Sequence, residues 1–225
     1  MRQRAVPVVM ALLAGTAGLL PAAQAASAIT LSSVSAAPGA TFDGSGYTLG
    51  FEFQLSAPVR VLSLGVYDHG RDGLEAAADV GLWSDDGAVA LLASATVAGG
   101  SAAALDGYFR YAAITPLLLL PGTRYVVGAA LNGALATSLG IGEGNAGAFD
   151  PRVQAVIDRS WDQGFDFPLG SDGVAGGAWL GANFQLAAVP EPAAPWLWAA
   201  GLLGLLGWRH GPWRRQASGR GQHRG

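Results

Sequence analysis

The sequence predicts an all-β protein, a jelly-roll-like β-sandwich of roughly eight or nine strands with an N-terminal signal helix and a short C-terminal transmembrane helix. Three observations predict it. Apolar residues recur with a period of two over stretches of strand length, the mark of half-buried strands. Turn formers separate those stretches, with 34 Gly and 12 Pro in 225 residues. Helical patterns are nearly absent outside the two ends.

Residues 29–34 open the series. In residues 47–55, Tyr47, Leu49, Phe51, Phe53 and Leu55 alternate with small or polar residues. Pro58 restarts the chain, and residues 59–67 alternate again with a change of phase at Val61-Leu62 that predicts a bulge. Residues 80–83 and 89–97 flank Asp85-Asp86-Gly87, a hairpin turn because Asp-Gly supplies positive φ. Residues 108–114, 117–120 and 125–131 follow, with Pro121-Gly122 as the turn between the last two. Residues 179–189 read as the closing strand. Residues 141–178, rich in Gly, Asp and Phe, read as a long excursion, with 152–158 as one short turn or a further strand. Long loops on a rigid sandwich are where binding resides.

Composition narrows the function classes. Charged residues make up 13% and hydrophobic ones 51%, too apolar for a disordered chain. The lack of cysteine excludes disulfides, thiolate catalysis and Cys-ligated zinc. Residues 26–189 hold six Arg against 15 acids, a net charge of −9. Phosphate contacts need clustered cations, so this acidic body argues against nucleic acid as a partner.

The ends read as addresses. Arg2 and Arg4 precede an apolar stretch, and Ala23-Gln24-Ala25 follows Pro21 as a cleavage site for signal peptidase, with Ala26-Ser27-Ala28 as an alternative. Residues 1–25 are thus expected to be a signal peptide and 26–188 the sandwich domain. Residues 189–215 form a sorting segment with a transmembrane helix over 195–208, and 216–225 a cytoplasmic basic tail. The helix is short against the ~20 residues of a full span. Trp196, Trp198 and Trp208 suit its interfaces, and Arg209, Arg214 and Arg215 hold its end in the cytoplasm.

Pro190-Glu191-Pro192, the apolar Gly/Leu helix and the Arg-rich end together resemble the PEP-CTERM sorting signal of Gram-negative bacteria. The resemblance implies an exosortase as partner, export across the inner membrane, transient anchoring, and an envelope or extracellular destination associated with exopolysaccharide and biofilm matrix. The body has a resemblance of its own. Tyr47-Thr48-Leu49-Gly50-Phe51-Glu52-Phe53, Leu64-Gly65-Val66-Tyr67-Asp68, Val80-Gly81-Leu82-Trp83, Phe109-Arg110-Tyr111 and Tyr125-Val126-Val127-Gly128 resemble, in order, an uncharacterised exported β-sandwich domain (DUF4082-like). That resemblance covers roughly residues 29–187 and implies no activity.

Candidate chemistry is sparse. Asp68, Asp72, Asp79, Asp85 and Asp86 cluster around one loop and one hairpin. Asp68 and Asp72 are the weak candidates for calcium, a cation that takes several oxygen ligands. Otherwise no cofactor is expected. His69, the lone His of the body, reads as a loop residue, and no nucleophile elbow accompanies it. Glu52, Glu75 and Glu143 are the acids from which a hydrolase pair would be drawn. Trp83 and Trp179 sit in strand patterns and read as core. Trp161, Asp162, Phe165 and Asp166 mix aromatics and acids in one segment, as a sugar-binding loop does. The expectation is a non-enzymatic, exosortase-sorted envelope or matrix protein, with polysaccharide as the ligand that segment suits. A glycan-active hydrolase and a purely structural surface protein stay open as alternatives.

Overall fold

In a computed structural model of the chain the described residues are 25–133, 135–137 and 140–189. Residues 1–24 and the expected sorting motif, terminal helix and arginines lie outside them. Among the described residues no helix is long and apolar enough to cross a membrane.

The described chain is all β. Its fourteen strands are β1 (Ala26–Ser27), β2 (Ile29–Ser33), β3 (Thr41–Asp43), β4 (Tyr47–Leu55), β5 (Val59–Tyr67), β6 (Ala78–Asp85) and β7 (Val89–Val97). They continue as β8 (Ala104–Asp106), β9 (Phe109–Leu119), β10 (Tyr125–Leu131), β11 (Leu135–Thr137), β12 (Ala146–Phe149), β13 (Val153–Trp161) and β14 (Ala182–Ala188). Two antiparallel five-stranded sheets have the orders β1-β14-β5-β9-β8 and β13-β4-β10-β6-β7. Two small ribbons, β11-β3 and β12-β2, flank them.

The alternation that predicts β4 and β5 is the alternation that fills the core. Phe51 and Phe53 point from β4 to Phe184 of β14, with ring centroids 6.4 and 4.9 Å away. Leu64 and Val66 of β5, Val80 and Leu82 of β6, and Val127 and Ala129 of β10 are all fully buried in the same cluster. Each large apolar side chain buried this way contributes about 1.5–3 kcal/mol. The bulge expected at Val61-Leu62 is present: pairing with β9 shifts register between Val61 and Ser63. Gly87 adopts φ +89° in the hairpin between β6 and β7.

Several expected boundaries move. Residues 117–120 do not form a separate strand; Leu117 continues β9 to Leu119, pairing with Val61 of β5. The excursion over 141–178 contains two strands, and the segment left open as turn or strand is β13, eight of whose nine residues pair with β4 around a register shift between Ala155 and Ile157. The closing strand begins at Ala182 rather than Trp179. The short strands β1, β3, β8, β11 and β12 were illegible because two to four residues are too few to show a period, and all but β8 pair with distant segments.

Glycine shapes the outer face of the second sheet. Gly50, Gly128 and Gly81 lie in register across β4, β10 and β6. A Cβ on Gly81 would sit 2.1 Å from the Trp83 ring, and one on Gly128 would sit 3.2 Å from Pro168. This flat row lets Trp83 and the 162–172 loop lie on the sheet. Trp83, Val126 and Phe167 form a second, smaller buried cluster there.

The first strand is fastened by a side chain. Asn183 Oδ1 accepts the Ile29 amide at 3.0 Å, and its Nδ2 donates to the Ile29 carbonyl at 2.8 Å. The buried amide thereby substitutes for a backbone bridge where the chain passes from β1 to β2.

Candidate functional site

At its C-terminal end, β13 delivers Trp161 as its last residue. Trp161 pairs in register with Thr48, near the start of β4. The chain then turns at Gly164, whose amide donates to the Gly46 carbonyl at 2.8 Å, and comes back so that Gly170 bridges to Ser160. Between these segments lies an open groove of about 450 Å3, lined by Tyr47, Ser160, Trp161, Asp162, Leu169 and Asp172. Tyr47 is 40% exposed and Leu169 60%, so the walls present apolar surface to solvent.

The far wall is braced by aromatic contacts. Phe42 meets Tyr47 edge-on at 6.3 Å and Trp179 at 5.4 Å. The Trp179 indole N–H donates to Asp172 Oδ2 at 3.0 Å, which orients that carboxylate. Beneath the loop, Asp158 is buried and its carboxylate accepts the amides of Asp172, Gly173 and Val174 and the hydroxyl of Ser171, at 2.7–3.1 Å. Four donors on one carboxylate hold the 171–174 segment against β13.

Chemically, the groove offers exposed aromatic faces beside carboxylate acceptors. Sugar rings present C–H faces for the former and hydroxyl donors for the latter. Of the four residues expected to bind, Trp161 and Asp162 line the groove. Phe165 and Asp166 do not: Phe165 packs against Trp83 at 5.7 Å, and Asp166 accepts the Phe167 amide at 2.7 Å. Tyr47 and Asp172 are groove residues that sequence reasoning assigned to other roles or passed over. Tyr47 looked like the first core position of an alternating strand, and only its place at the strand's end exposes it.

The acids of the 68–86 region have other roles. Asp68 is 1% exposed, and its Oδ2 takes the Arg110 Nε–H at 2.6 Å. Both its oxygens also face the Gly73 amide, at 3.2–3.3 Å. It is therefore a buried anchor instead of a solvent-facing calcium ligand, and Asp72 lies exposed in the loop beyond it. Among the described residues no group of three or more His, Asp or Glu side chains could hold a metal ion. His69 Nδ1 is 3.1 Å from the Tyr67 hydroxyl. Burial, with Tyr108 and Asp68 nearby, pushes the Tyr67 phenol up to about 12. Glu52, buried on the outer face, is paired with Arg159 and lies 3.8 Å from Arg124.

A larger groove of about 650 Å3 runs between β7 and β9, from Leu92 to Thr96 and from Ala112 to Leu117. Its lining residues include the hydroxyls of Ser94, Thr96 and Thr115 and neither an aromatic nor a charged side chain, so it lacks the stacking faces and carboxylates of the Trp161 groove.

Fold and site together define an all-β sandwich protein with an aromatic, acid-flanked groove at one sheet edge. The family model for a domain of unknown function (DUF4082) matches residues 33–149, and the chain belongs to that family. No curated protein and no solved structure matches the chain. The match spans β3 to β12 and stops before β13, so of the groove residues named above it includes Tyr47 alone.

Proposed function

We propose that this chain is an exported, non-enzymatic component of the cell envelope or extracellular matrix, sorted by an exosortase, and that its sandwich binds polysaccharide in the Trp161 groove. One observation carries the binding reading: Trp161 and Asp162 are brought beside Tyr47 and Asp172 around one open cavity. Aromatic faces with adjoining acceptors are the chemistry a sugar ring requires, and a rigid strand end positions them better than a free loop. We also read the sandwich as a jelly roll. The orders β1-β14-β5-β9 and β4-β10-β6-β7 support this, since the chain crosses between sheets at β4–β5, β5–β6, β7–β9, β9–β10 and β13–β14 while β6 and β7 form a hairpin within one.

The test is a glycan array probed with the full chain and with Trp161→Ala. Loss of a central aromatic anchor costs about 2 kcal/mol or more, so affinity for the bound glycan should fall roughly thirtyfold. Equal binding by both proteins rejects the site. Absence of any glycan binding favours a purely structural surface protein. For the sorting reading, supported by Pro190-Glu191-Pro192 ahead of an apolar run and arginines, Glu191→Ala should leave an unprocessed, membrane-held precursor in a host with an exosortase. Normal processing of that variant removes the assignment.

A further inference from the structure

Resting on the binding reading above, we infer that the groove selects a cationic glycan, one whose sugars carry free, protonated amines, over neutral and anionic polymers. The aromatic walls of Trp161 and Tyr47 define the site; the charge around them decides which sugar it prefers. Asp162 and Asp172 both line the cavity, and among the described residues no Arg or His does. Asp162 is exposed, and among the described residues no hydrogen bond or ion pair holds its carboxylate. Asp172 uses Oδ2 to accept the Trp179 indole and keeps Oδ1 for a ligand.

Arg159, next to Ser160 in β13, is a cation already engaged. Arg159 donates through Nη1 to the Leu169 carbonyl at 3.0 Å and pairs through Nη2 with Glu52, with Asp85 3.9 Å away. Its charge is thus compensated on the outer face of the sheet and is not offered to a ligand. Arg110 and Arg152 are likewise paired, with Asp68 and Asp150. The 26–189 body carries a net charge of −9, and Asp162 and Asp172 put two of its carboxylates on the groove wall, where they set a negative field. Such a field repels uronate or sulfated chains and concentrates cationic ones.

An amino sugar with a free amine matches each part. Its ring C–H face stacks on an indole or phenol, and its ammonium supplies three donors to carboxylates. Cationic groups are also attracted to aromatic faces. N-acetylation removes the charge and replaces the ammonium by a single amide N–H. The distinction is therefore one of charge rather than of shape.

The test titrates the full chain with four probes of matched length: a glucosamine oligomer, its N-acetylated form, a neutral β-glucan oligomer and a galacturonate oligomer. The glucosamine oligomer should bind roughly tenfold tighter than its acetylated form at low salt and mildly acidic pH, and the galacturonate oligomer should not bind. The preference should vanish as salt rises or as the amine loses its proton. Asp162→Asn should weaken the glucosamine oligomer about fivefold and leave the acetylated one unchanged. Equal, Trp161-dependent binding of the acetylated and free-amine oligomers overturns the cationic preference and leaves the groove as a glycan site. Binding of none of the four, or binding untouched by Trp161→Ala, overturns the underlying reading as well.

Discussion

Asp68 and Asp158 are both about 1% exposed, and both pin a loop to a strand, yet they are held in different ways. Asp68 faces a guanidinium: Arg110 Nε–H donates to it, while Arg110 Nη1 donates to the carbonyls of Ser101 and Ala103. One ion pair thereby ties the loop after β5 to the loop before β8. Among the described residues Asp158 faces no cation, and it is satisfied by three backbone amides and a hydroxyl from residues 171–174. The difference teaches what each loop can tolerate. A buried ion pair fails badly when one partner is lost, because the other charge is stranded. An amide cradle loses its hydrogen bonds but leaves no stranded charge, and its neutral donors can rehydrate if the loop opens.

The largest effect should therefore come from Asp68→Ala, which buries Arg110 without a counter-charge and is expected to cost about 3–5 kcal/mol of stability. Chemical denaturation of the single variant and of Asp68→Ala with Arg110→Met checks this. The double variant should be the more stable of the two, since it removes the orphaned guanidinium. A double variant no better than the single would mean that the hydrogen bonds to Gly73, Ser101 and Ala103 matter more than the charge.

Asp158→Ala should cost less, about 2–3 kcal/mol. Its effect should be local, because Asp172 and Gly170 border the groove while Asp68 is bonded to none of its residues. Limited proteolysis should therefore cut the variant within 171–177 before global unfolding, and glycan binding should fall with it. Asp68→Ala, at temperatures where it stays folded, should bind as the unsubstituted chain does. Equal protease resistance of Asp158→Ala and the parent would show that Trp179 and the Gly170–Ser160 bridge hold the loop without the carboxylate.

The same contrast explains what could be read from the sequence. Where strands are long and one face is buried, as in β4 and β5, the period of two is written into the residues, and even the bulge at Leu62 shows as a phase slip. Trp161 and Asp162 were legible as a mixed aromatic and acidic pair. Their neighbours Tyr47 and Asp172 come from 115 residues before and 10 residues after Asp162 in the chain, and the β13–β4 pairing brings in the first while Asp158 and the Gly170–Ser160 bridge bring in the second. Buried acids were the main blind spot. Asp68 and Asp158 look like surface turn residues in sequence, because a carboxylate's donors are backbone amides or a distant Arg that leave no local pattern. The row Gly50–Gly128–Gly81 is equally silent until the strands are in register.

The smallest effect separates the two anchors by pH. Tyr67 stands beside Asp68 in sequence, and burial first, then Tyr108 and Asp68, push its phenol up to about 12 against an ordinary value of 10.0. The folded chain holds that proton after the unfolded chain has released it. The stabilisation is therefore fully present below about pH 10 and is lost as pH climbs from 10 towards 12. Tyr111, raised chiefly by its own burial and hydrogen-bonded to Ser27, adds a slope of the same sign. No tyrosine shares the Asp158 cradle. Alkaline titration followed by thermal unfolding should thus show stability declining above pH 10, with a shallower decline in Tyr67→Phe and an unaltered one in Asp158→Ala. If Tyr67→Phe leaves the slope as it was, the phenol ionises alike in the folded and unfolded chain, and the side of the sandwich around Asp68 is more open to water than its packing implies.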